Sequence, residues 1–230
     1  MKRRLTMLVC LGVVAIFAAR LLAGCADNKP LIYETIHEAA AKGDLDDVKR
    51  HLQRGTAVND RNMDGATPLH AAAMEDQIEV ANFLIRNGAD VNAGNGYNET
   101  PLHIAVSSGN IEILRLLIER GADVNAEGLL GKRTPLHSAV SFGNIEIVRL
   151  LIESGADVNA EEELCKTTPL WEAVGMGLTE IVRLLINHGA DVNAKQREGC
   201  LGSSFTPLDI AVSRGYTEIA ELLRQHGAAE

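Results

Sequence analysis

Aromatic residues are scarce in this chain: Phe, Trp and Tyr make up 3% of it. Its hydrophobic share, 46%, is therefore carried mostly by Leu, Ile, Val and Ala, side chains that fill the stacked layers of a single elongated array. No second folded domain fits beside such an array. Basic charge is also short. Residues 1 to 24 hold Lys2, Arg3, Arg4 and Arg20 and no acid, so beyond them 18 of the 22 basic residues face all 31 acidic ones, a net charge of −13. That balance argues against a nucleic-acid partner. Glycine-rich phosphate loops, an HExxH pair and a serine or cysteine in a recognised nucleophile setting are all missing, which argues against an enzyme and leaves no cofactor implied. Long apolar runs are missing too. The one candidate, Leu5 to Ala19, is too short to cross a bilayer comfortably.

What the chain has in abundance is self-similarity. TPLH begins at Thr67, Thr100 and Thr134, and the related TPLW and TPLD begin at Thr168 and Thr206, spaced 33, 34, 34 and 38 residues apart. GADVNA begins at Gly88, Gly121, Gly155 and Gly189. A fixed period of this size marks a stacked repeat array. Within Thr100 to Gly121, Thr100 caps a first helix and Pro101 takes its first position, where a missing N–H does no harm. Ser107, Ser108, Gly109 and Asn110 interrupt that helix. A second apolar pattern then runs through Ile111, Ile113, Leu114, Leu116, Leu117 and Ile118, and Gly121 supplies the left-handed residue a helix end favours.

These motifs resemble ankyrin repeats. Five units carry the TPL signature, and a weaker sixth runs from Tyr33 through Thr35, Ile36 and His37 to Gly55. The resemblance implies an all-α solenoid of about six stacked helix-turn-helix repeats, with hairpin fingers between them. One such repeat has too little core to fold alone, so neighbours must stack. The ends are legible in the second helices. Asp47 and Arg50 replace the apolar pair Ile113 and Leu116 in the first repeat, and Thr217 and Arg224 replace Ile111 and Ile118 in the last. Each terminal repeat is thus expected to keep one apolar side.

The first 24 residues read as a secretory signal peptide, with Lys2, Arg3 and Arg4 ahead of the apolar run. Leu22, Ala23, Gly24 and Cys25 then resemble a bacterial lipobox, in which the cysteine sulfur accepts a diacylglycerol. Two or more acyl chains would make the anchoring stable, each buried CH₂ contributing roughly 0.8 kcal/mol. An uncleaved anchor or an ordinary signal sequence is the alternative reading. The boundaries that follow are a lipoprotein signal peptide over 1–24, a lipidated N-terminus and short linker over 25–32, and the repeat domain over 33–230. Ala26 after the cysteine favours the outer membrane over the inner by resemblance to Gram-negative lipoproteins, and the array is expected to face the periplasm. A seven-residue link extends at most about 25 Å, which keeps the array near the bilayer.

His70, His103 and His137 are the TPLH histidines. The resemblance gives them a structural task, tying a first helix to the adjacent finger, and a whole repeat separates each from the next, too far to share a metal. Glu112 with Arg115, Glu146 with Arg149 and Glu180 with Arg183 are expected to form solvated pairs along second helices. Glu161, Glu162 and Glu163 read as a solvated fingertip. Once Cys25 is lipidated, Cys165 and Cys200 remain in consecutive fingers of an exported array, and an oxidising compartment permits a disulfide between them.

The resemblance also implies another protein as partner, bound on the concave surface of fingertips and first helices. Tyr97, Leu129 and Leu130 in fingers, and Phe142 and Met176 at the variable ends of first helices, are the candidate contacts. Packing against adjacent loops is the alternative use of the same side chains. Two uses of such a surface stay open: an immunity or inhibitor protein that masks a toxin or envelope enzyme, and a scaffold or assembly factor for an envelope complex.

Overall fold

The computed structural model describes residues 30–128, 131–196 and 205–229. Over these residues twelve helices pair into six hairpins. They are α1 (Ile36–Ala41) with α2 (Leu45–Gln53), α3 (Pro68–Met74) with α4 (Ile78–Arg86), and α5 (Pro101–Ser108) with α6 (Ile111–Glu119). The series continues with α7 (Pro135–Ser141) and α8 (Ile145–Glu153), α9 (Pro169–Gly175) and α10 (Thr179–Asn187), and α11 (Pro207–Ser213) and α12 (Thr217–Gln225). Cys25 and Cys200, and with them the lipobox, lie outside the described residues, as do Leu129 and Leu130.

Local chemistry starts the first helices where expected, but α5 ends later than the sequence suggests: Ser107 and Ser108 stay inside it, and it stops only at the left-handed Gly109. Thr67, Thr100, Thr134, Thr168 and Thr206 are extended N-caps, each followed by proline at the first helical position. The turn inside a hairpin needs a left-handed residue, and Gly43, Gly109, Gly143, Gly177 and Gly215 provide it, with Asp76 in the equivalent place. Gly177 has a second reason to be glycine. A Cβ there would sit 3.0 Å from the Tyr216 ring of the next repeat.

First helices stack on first helices and second helices on second helices, so one continuous core runs the length of the array. Ile36, Leu69, Leu102, Leu136 and Leu170 form its spine and are fully buried, with Leu208 nearly so. Ala39, Ala72, Ala105, Ala139, Ala173 and Ala211 accompany them, and their small side chains let neighbouring first helices approach closely. Each buried Leu stabilises the stack by about 2 kcal/mol.

The two ends differ. At the first repeat Asp47, Arg50 and His51 occupy the places of Ile113, Leu116 and Leu117, yet all three are buried. Asp47 accepts the N–H groups of Ile32 (3.0 Å) and Tyr33 (2.9 Å) and the Arg50 guanidinium (2.9 Å), while His51 Nε2 donates to the Tyr33 carbonyl (3.1 Å). The polar side read as the free face of a cap is therefore covered by residues 32 and 33 of the chain itself. Burial pushes the Asp47 carboxyl up, but these donors outweigh it and hold it below its ordinary value. At the last repeat Val212 is 55% exposed, whereas its counterparts Val106, Val140 and Val174 are buried by a following repeat.

Candidate functional site

Two polar ladders hold the fingers in place beneath the helices. In the first, His70, His103 and His137 each accept at Nδ1 from the backbone N–H of the threonine three residues earlier, at 3.0, 3.2 and 3.3 Å. That leaves Nε2 as the protonated nitrogen. It donates to the carbonyl just before the next repeat's TPL threonine: Glu99 at 2.9 Å, Arg133 at 3.3 Å and Thr167 at 3.3 Å. The three rings thus join each first helix to the following finger. Burial holds all three below the usual histidine range, so they are neutral at pH 7. Trp171 takes this slot in the fifth repeat, and its Nε1 is buried without a partner among the described residues.

The second ladder was not apparent from the motifs. The asparagine of each GADVNA phrase, and Asn59 before them, reaches into the next repeat. Asn59, Asn92, Asn125, Asn159 and Asn193 donate their side-chain amides to the carbonyls of Gly88, Gly121, Gly155, Gly189 and Gly227 at 3.1–3.3 Å. Their side-chain oxygens accept from the N–H groups of Asp90, Asp123, Asp157, Asp191 and Ala229 at 2.8–2.9 Å. The repetition of the phrase was the signal. The partner one repeat away was not encoded in it.

The fingers are ordered by their own polar groups. Asn98, Lys132 and Lys166 stand where Gly65 stands in the second repeat, and all keep its left-handed backbone, with φ of 55°, 56° and 60°. Glu162 corrects the reading of a solvated acidic tip, because it is only 6% exposed. Its carboxylate accepts the N–H groups of Leu164 at 2.9 Å and Cys165 at 2.5 Å, closing the turn. Burial raises its pKa, and these backbone donors more than reverse that and hold it below the ordinary value. Cys165 is disulfide-bonded, and its partner lies outside the described residues. The expected ion pairs within second helices are also corrected: among the described residues Arg183 instead meets Glu218 of the following repeat at 3.4 Å.

Against this scaffold the fingers and first helices of the third to fifth repeats enclose an open cleft of about 450 Å³. Tyr97 and Phe142 border it, 55% and 61% exposed. Met176 occupies on α9 the position of Phe142 on α7, immediately after the helix, and is 48% exposed. Neither aromatic is drawn into the core as a finger anchor. The sequence reading missed Met63 and Leu164 at fingertips and Met74 at the end of α3, which are exposed on the same series of elements. It also missed the polar floor of the cleft. There Arg133 meets both oxygens of Glu172 at 3.0 Å, and Ser141 donates to the same carboxylate.

Comparison with known proteins agrees with this geometry. A family model described as ankyrin repeats (3 copies) matches residues 36–128 and 161–229, and one described as ankyrin repeats (many copies) matches 107–152 and 136–182. Among solved structures, the ankyrin repeat domain of Bcl-3, a member of the IkappaB family, is 31% identical, with a TM-score of 0.76 over 88% of this chain and 88% of that one. An ankyrin repeat domain from Acinetobacter baumannii AYE is 36% identical, with a TM-score of 0.75 over 84% of this chain and 98% of that one. A search of the curated proteins finds no match. From its first hairpin to its last, the chain belongs to the ankyrin-repeat family, a fold that serves as a protein-interaction module.

Proposed function

We propose that the chain is a lipoprotein anchored through Cys25, which holds its ankyrin array on the periplasmic side of a membrane, with the outer membrane favoured. There it binds another protein on the face of fingers and first helices, and masks it as an immunity or inhibitor protein does. The observation that carries the binding reading is the exposure of Tyr97, Phe142 and Met176 on that face. An aromatic side chain left in water gains most when a partner desolvates it. The anchoring reading rests on Leu22 to Cys25 and the basic start of the chain. A short link between anchor and array keeps the bound partner near the bilayer. Catalysis has no place in this reading, since both nitrogens of the cleft histidine His103 are occupied in tying the scaffold together.

Affinity purification of envelope proteins with the intact, acylated chain tests the proposal, run beside a Tyr97→Glu, Phe142→Glu, Met176→Glu variant. Recovery of a toxin or envelope enzyme that the variant fails to retain supports masking. Recovery of assembly proteins in its place would make the chain a scaffold. Equal recovery by the variant would move the binding face elsewhere.

A further inference from the structure

Within the cleft the charges do not balance. Glu172 is met by Arg133 and Ser141. His103 spends its Nε2–H on the Arg133 carbonyl. Glu99, half-buried on the finger beside Tyr97, has only the Asn95 amide at 3.1 Å on its carboxylate and forms no ion pair among the described residues. One carboxylate thus stands uncompensated in a cleft bordered by two exposed aromatic rings.

We propose that this cleft is a socket for a cationic side chain, an arginine or lysine presented by the protein partner. The inference rests on the binding reading above and specifies the partner's chemistry. A partner acid placed there would meet Glu99 as a like charge, and an apolar side chain would cover that carboxylate without pairing it, which is costly. A cation answers both conditions. Its charge pairs with Glu99, its methylene stem lies on apolar ring surface, and a guanidinium gains further from the faces of Tyr97 and Phe142. The chain beyond residue 24 carries 31 acidic residues against 18 basic ones, so the long-range field also favours a basic partner.

The test is a titration of the ¹⁵N-labelled full-length protein with N-acetyl-arginine amide and, separately, with its neutral isostere N-acetyl-citrulline amide. The arginine derivative should shift the backbone amides of Tyr97, Glu99, Ser138 and Phe142 saturably, and the citrulline derivative should bind about tenfold more weakly, the difference one charge-assisted hydrogen bond makes. Glu99→Gln should weaken arginine binding by a similar factor. Phe142→Ala, an exposed change that leaves the fold intact, should weaken it about threefold. Arg133→Gln should act in the opposite direction and tighten it, because Glu172 then loses its internal partner. Equal response to the two probes, no saturable response at the cleft, or indifference to both Glu99→Gln and Phe142→Ala would overturn the socket. If the probe fails while the aromatic variants still lose a captured partner, the binding face stands and only the cationic character of the partner falls.

Discussion

Arg133 and Glu172 meet across the boundary between the fourth and fifth repeats, the guanidinium nitrogen 3.0 Å from each carboxylate oxygen. The same guanidinium nitrogen contacts the Ser141 hydroxyl at 2.6 Å, so finger, α7 and α9 are drawn to one point. Both side chains are partly open to water, which limits what the pair contributes. A double-mutant cycle of Arg133→Gln and Glu172→Gln, read by urea unfolding, should give a coupling of about 1 kcal/mol. A coupling of zero would make the contact incidental to stability.

The asparagine ladder should matter more than its exposure suggests, because each side chain closes two hydrogen bonds to the neighbouring repeat. Asn125→Ala removes the bonds to Gly155 and Asp157 and should cost about 1–2 kcal/mol. Asn125→Asp keeps an acceptor for the Asp157 N–H and loses the donor to Gly155, so its loss should be smaller unless the new charge repels Asp157. Thermal unfolding of the two variants ranks them, and a harmless Asn125→Ala would refute the ladder as a stabilising element.

Acid should loosen the array before it reaches the carboxylate range. The TPLH histidines ordinarily titrate near 6.5, and burial lowers that in the folded chain. Between the two values the unfolded chain binds more protons. Their contribution is therefore complete above about pH 7 and is lost as pH falls through 6.5 toward the folded values. The urea midpoint should drop steadily from pH 7 to pH 5.5, and His103→Gln should flatten that slope. A midpoint constant over this range would contradict the neutral assignment.

The left-handed positions give a pair of opposite outcomes. Lys132→Gly and Lys166→Gly relieve backbone strain at φ 56° and 60°, and the gain exceeds the added chain entropy. Together they should stabilise the array by about 1 kcal/mol. Gly177→Ala does the reverse, since it adds the same strain at φ 71° and presses a methyl on Tyr216, for a loss of about 1–3 kcal/mol. Differential scanning calorimetry should show melting temperatures displaced on either side of the wild type.

Mass spectrometry of the mature protein tests the proposed anchor and the proposed cross-link together. The N-terminal peptide should begin at an acylated Cys25. A peptide map without reduction should join Cys165, which is bonded in the structure, to Cys200. Residues 1 to 24 still attached would reject the anchor, and Cys165 joined to any other cysteine would reject the pairing.

The sequence by itself determined the repeat, its helical hairpins and the limits of most helices, because these depend on residues within one turn of each other. Threonine before proline caps a helix, glycine ends one, and an apolar stripe marks the buried side wherever the chain carries it. The exposure of Tyr97, Phe142 and Met176 followed from the same logic, as apolar residues at positions the scaffold leaves outside. Contacts made across a whole repeat were a different matter. Which carbonyl Asn125 reaches and that Arg133 meets Glu172 depend on how one repeat lies over the next, whereas the burial of Asp47 and Arg50 under residues 32 and 33 and the inward turn of Glu162 depend on how the chain folds back within its own repeat. Stacking brings together groups 29 to 39 residues apart in the chain, and only the tertiary structure sets which of several polar neighbours comes within hydrogen-bonding distance.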